Sequence, residues 1–184
     1  MTTVQQYAHP YRIGSLVGAI GATVFVLANR NALPDPWPLV ALASWGLVLA
    51  LYVYRVWLSP AEALPRVRPP RPRAGLIYVA SVAAMILGIQ VGRSFLPEAD
   101  RDALMPAVIV ICVGLHLVPF AQAFRAPVFA LLGWAMTAIG VMGLTAGLAT
   151  WTGWACVAAV VTGIVMLAVM AEAAHPDDEI SPGD

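Results

Sequence analysis

The chain has 184 residues, 60% of them hydrophobic and 11% charged, with a mean hydropathy of +0.81. A water-soluble domain of this size carries roughly a quarter charged residues, so the composition excludes an ordinary soluble domain and points to lipid as the main solvent. Formal net charge is zero, so nothing points to nucleic acid as a partner.

All ten basic residues are arginine. With abundant Ala, Gly, Pro and Val, this is the residue usage of a GC-rich bacterial genome, and a bacterial plasma membrane is the expected location. Cys112 and Cys156 both fall inside apolar segments, where thiols behave as small hydrophobes and no disulfide framework is expected.

A membrane-spanning helix needs about 20 mostly apolar residues. Six stretches qualify, at 13–28, 37–58, 74–92, 103–124, 128–149 and 152–171. None alternates with the period of a barrel strand, so the fold class is all-α: a polytopic membrane protein of six transmembrane helices arranged as three helical hairpins. The first stretch has no small-residue cleavage site followed by a soluble domain, and is read as a retained helix. Residues 1–174 form one transmembrane domain. The tail from His175, HPDDEISPGD, is acidic and proline-containing and is expected to be disordered.

The connectors are marked by residues that cannot continue a helix. Residues 31–38 hold three prolines, Pro60 ends the second stretch, and PRVRPPRPR over 65–73 reads as extended and solvated. Residues 97–102 are polar and acidic, and 125–127 and 150–153 are tight links. Short arginine-rich loops stay in the cytoplasm. That rule places Arg12, Arg55, Arg66, Arg68, Arg71, Arg73 and Arg125 inside, with Arg30, Arg93 and Arg101 outside, and makes both termini cytoplasmic. The first two hairpins echo each other, NRNALPDPWPLVAL against GRSFLPEADRDALMPAVIV, as a duplication or as the punctuation any such protein needs.

Helices in lipid associate through small residues. Gly14, Gly18 and Gly21 form such a row in the first stretch, Ala80, Ala84, Gly88 and Gly92 in the third, Gly133, Thr137, Gly140 and Gly147 in the fifth, and Ala155, Ala159 and Gly163 in the sixth. Packing inside the bundle is the reading taken, with a homo-oligomer face as the alternative. Trp37, Trp151, Trp154 and Tyr11 fall near the interfaces, whereas Trp45 and Trp134 fall deeper and are assigned to core packing.

Chemistry, if there is any, is expected to gather on the fourth stretch. His116 is the one histidine inside an apolar segment, Pro119 removes a donor that would otherwise bond to the Leu115 carbonyl, and Ser81, Thr137 and Thr162 fall at similar depth, with Thr23 near the middle too. The candidate midplane site is therefore His116, Thr137, Thr162 and Ser81. One reading makes it the centre of a small transporter or channel-like protein acting on a small-molecule substrate, because an intramembrane ionisable group often marks a pathway. The favoured reading makes it structural, a neutral imidazole satisfied by a hydroxyl or by the Leu115 carbonyl.

Enzymatic classes find no support. Helices four to six contain no serine for an intramembrane protease, no span holds paired acids, and only one histidine is placed to reach a haem iron. Cys112 and His116 share a face at i,i+4 but make two ligands where zinc needs three or four, so no metal and no cofactor is expected. The segment GLHLVPFAQAFR, through Gly114, Leu115, His116, Pro119, Ala121 and Arg125, resembles one in small uncharacterised bacterial integral membrane proteins with a Gly-Leu-His and a following Pro in the fourth of six helices. That resemblance implies the six-helix layout and no activity. In size and layout the chain is also similar to a small bacterial acid-resistance membrane family, with no shared motif.

Overall fold

A backbone in hydrocarbon has no water to bond to, so each crossing segment must satisfy its own N–H and C=O groups, and a helix does this within one segment. The computed structural model describes residues 9–65, 69–98 and 101–174. It contains six helices long and apolar enough to cross a membrane. They are α1 (Pro10–Asn29), α2 (Trp37–Tyr52), α3 (Ala74–Glu98), α4 (Met105–Ala123), α5 (Val128–Ala149) and α6 (Trp154–Glu172). Arg66, Arg68, Asp100 and the acidic tail 175–184 lie outside the described residues.

Each expected span is present, and the differences are at the ends. α3 continues to Glu98, past the last residue of its apolar stretch. Apolar composition reports where lipid ends, while helical hydrogen bonding carries on into water. α2 is prolonged over Val53–Leu58 by wider π-helical turns. α4 ends in a left-handed residue: Arg125 has φ 53°, and the Ala126 N–H reaches back to the Ala121 carbonyl at 3.1 Å. That is a Schellman-type stop built on arginine where glycine is usual. The Arg71 N–H donates to the Ala123 carbonyl at 2.9 Å, tying the loop after α2 to the same helix end.

The centre of the bundle is α6, and α4 is off centre. α6 packs against α1, α2, α4 and α5. It buries ten residues, among them Ala155, Ala159, Thr162, Gly163 and Leu167, whereas α4 buries five. α5 pairs closely with α4, and α3 lies outermost against α4.

The close crossings are made by glycine. At Gly114 a Cβ would stand 2.7 Å from the Thr137 backbone nitrogen and 2.8 Å from the Gly133 carbonyl oxygen. At Gly163 it would collide with the Ala22 carbonyl oxygen, and at Gly143 with Ala158. Other members of the predicted rows do not pack. Gly14 faces open space, and Ala80 and Ala84 are exposed because α3 has a neighbour on one side only. Trp134, expected in the core, is 58% exposed on the outer face of α5. Its depth along the span could not say which side of α5 meets α4. The two echoing hairpins also pack differently, since α3 and α4 run in contact while α1 and α2 touch over a short length.

Candidate functional site

The candidate midplane residues lie on three outer-to-central helices and α3, and each hydroxyl or ring that is paired is paired within its own helix. Thr137 Oγ1 donates to the Gly133 carbonyl at 2.8 Å, and Ser81 Oγ to the Tyr78 carbonyl at 2.9 Å. The His116 Nδ1–H donates to the Val113 carbonyl, one turn back, and not to Leu115. Helical side chains lean toward the N-terminus, so the i−3 carbonyl is nearer than the adjacent one that Pro119 frees. Phe120 meets the imidazole edge-on at 5.3 Å and stacks on Tyr78 at 5.5 Å, within an aromatic group completed by Phe124 and Phe129. Thr162 is fully buried on α6, and its Oγ1 has no hydrogen-bond partner among the described residues.

A second polar group lies at the end of the bundle where α1 begins and α2 and α6 finish. Arg12, the third residue of α1, is only 1% exposed. Its Nε–H donates to the Val56 carbonyl at 2.9 Å and an Nη2–H to the Ser59 carbonyl at 2.7 Å. Helix C-termini leave carbonyls without intrahelical donors and carry partial negative charge, so a guanidinium fits there on both counts. The ring of Trp57 lies 5.9 Å from the Arg12 guanidinium carbon. Trp57 Nε1–H donates to Tyr52 Oη at 3.3 Å, and Tyr52 Oη shares a 2.9 Å hydrogen bond with Ser15 Oγ. Tyr11 Oη–H donates to the Met170 carbonyl at 2.6 Å, and Arg55 forms an ion pair with Glu172, so α6 is tied to both α1 and α2. Just before α1, His9 caps the helix by accepting the Tyr11 N–H at Nδ1, 3.3 Å away. Burial, and then the nearby Arg12 charge, hold the His9 imidazole below its ordinary value.

Arginine placement along the chain puts Arg12 on the cytoplasmic side, and nothing in that pattern distinguishes this buried arginine from the others.

Between α1 and α2 lies a cavity of about 310 Å³, lined by Leu16, Ala19, Ile20 and Thr23 on one wall and Leu49, Tyr52, Val53 and Trp57 on the other. It is bracketed by hydrogen bonds, Ser15 to Tyr52 at one end and Trp45 Nε1–H to Thr23 Oγ1, at 3.3 Å, toward the other. None of His116, Thr137, Thr162 and Ser81 lines it. Among the described residues no three His, Cys, Asp or Glu side chains gather as a metal site. Cys112 Sγ, one half of the pair considered from spacing, packs at Gly88 of α3. No family model, curated protein or solved structure matches this chain.

Proposed function

We propose that the protein is a non-enzymatic integral membrane protein of a bacterial plasma membrane, a compact six-helix bundle with both termini cytoplasmic. The observation that supports this reading is how its polar groups are used. Arg12, Ser15, Tyr52, Trp57 and Tyr11 hold three helix ends together, and Ser81, Thr137 and His116 bond back to their own helices. The first group ties helices to one another, and the second meets its hydrogen-bonding needs locally. The arginine asymmetry and the resemblance around Gly114–Leu115–His116 support the bacterial membrane and the orientation.

The second reading, a small transporter or channel-like protein with a site around His116, is favoured by one feature. The buried Thr162 hydroxyl stands without a partner among the described residues on the central helix, where a polar group in a dry site costs about 1–3 kcal/mol.

Reconstituted vesicles separate the two. Proton and small-cation fluxes equal to those of empty vesicles support the bundle reading. A flux that is lost in both His116→Leu and Thr162→Val supports the second. Orientation is tested in intact cells by labelling single cysteines at the exposed positions Arg71 and Asp102. Labelling of Asp102→Cys alone by an impermeant reagent is the expected pattern.

A further inference from the structure

The cavity between α1 and α2 is apolar along its length, and both of its walls belong to membrane-spanning helices. It is open sideways, because Leu16, Ile20, Val24 and Val53 on its rims are 42, 58, 59 and 39% exposed. From Leu16 to Val24 it runs about 12 Å at 1.5 Å per helical residue, within the half-thickness of a hydrocarbon core of about 30 Å. It starts toward the end of the bundle that carries Arg12 and Arg55 and stops near the Thr23–Trp45 tie, so it does not run the full length of either helix. Trp57 lines its mouth as an amphipathic ring with its N–H engaged and the Arg12 guanidinium carbon 5.9 Å from its centroid.

We propose that this groove holds one acyl chain of a phospholipid from the leaflet on the arginine side. Three features single out that occupant. The depth matches one leaflet and not the whole bilayer. The opening is lateral, toward lipid. The mouth places the Trp57 ring near the end of its span, at the depth where amphipathic rings meet headgroups. Between the two polar ties α1 and α2 do not pack as closely as the glycine crossings elsewhere in the bundle, and a groove is left. This inference rests on the membrane reading and adds to it a retained ligand.

The test is photolabelling with a phosphatidylglycerol carrying a diazirine in its acyl chain, on the full-length protein in phosphatidylcholine nanodiscs. Adducts mapped by mass spectrometry should concentrate at least several-fold on 16–24 and 49–57 relative to the exposed face of α3 at Leu76, Val79 and Leu87. Ile20→Trp and Val53→Trp, both at exposed rim positions, should reduce groove adducts without lowering the melting temperature. Adducts spread evenly over α3 and the groove overturn the proposal, as do rim variants that label like the parent. Carbonate extraction of membranes reports the membrane reading separately. A protein that stays in the membrane but labels evenly loses the groove lipid alone.

Discussion

The Arg12 guanidinium donates its Nε–H to the carbonyl of Val56 across 44 positions of sequence, at 2.9 Å, while only 1% exposed. A cation near the start of α1 is unfavourable for that helix's own dipole. The antiparallel C-terminal end of α2 reverses the sign by presenting carbonyls to it. Arg12→Met keeps the length and removes the donors, leaving buried carbonyls that cost roughly 1–3 kcal/mol each. Its melting temperature in detergent should fall clearly. Arg12→Lys should fall between parent and Arg12→Met, because a compact ammonium cannot reproduce the planar fork. Equal stability of all three variants would remove the guanidinium from its structural role.

Two glycine-to-alanine substitutions should differ sharply. Gly114→Ala places a methyl 2.7 Å from the Thr137 backbone nitrogen, so α4 and α5 must separate, at roughly 1–3 kcal/mol. Gly14→Ala meets nothing within 4 Å and should be neutral or stabilising by up to about 1 kcal/mol, the difference in helix propensity. Parallel thermal melts decide it.

Arg125 sits at φ 53°, where a side chain is strained. Arg125→Val should lower stability by roughly 1–2 kcal/mol, since a branched Cβ tolerates the left-handed region worst. Arg125→Gly should match or exceed the parent, with relief of strain set against the greater freedom of glycine in the unfolded chain. Denaturation of the three proteins side by side gives the order.

The cap at His9 makes a pH dependence. Its folded-state value lies below its ordinary value of 6.5, through burial first and the Arg12 charge second. A depressed value means that the neutral form is favoured by folding. The contribution is present above pH 6.5 and is lost as pH falls through the lower folded value. Protonation also takes away the Nδ1 acceptor that holds the Tyr11 N–H. Melting temperature of the parent should therefore decline on acidification below pH 6.5 more than that of His9→Asn, which keeps a capping acceptor at every pH. Identical pH profiles for the two would remove His9 as the source.

His116→Leu is a mild change in this structure. The bond it removes is to a carbonyl one turn back within α4, and its contact with Phe120 is a single edge-on pair, together about 1 kcal/mol. A loss of several kcal/mol in thermal unfolding would show that the imidazole has a further partner.

The six spans, their order and nearly all their lengths were legible in the sequence, because burial in lipid demands apolar residues on every face of a helix. That same uniformity hides which face meets which neighbour. Gly133, Gly140 and Gly163 were recognisable as packing residues and Gly114 and Gly143 were not, while Gly14, Ala80 and Trp134, assigned to packing as well, lie on open faces. The candidate residues His116, Ser81, Thr137 and Thr162 could be placed by depth along the helix axes. Rotation about those axes decides whether they meet, and the three that are paired bond within their own helices. Tertiary structure alone put α6 at the centre. It also brought Arg12 to Val56, Ser15 to Tyr52 and Tyr11 to Met170, because contacts across 37 to 159 positions depend on how rigid rods are arranged and leave no periodic trace along any one of them.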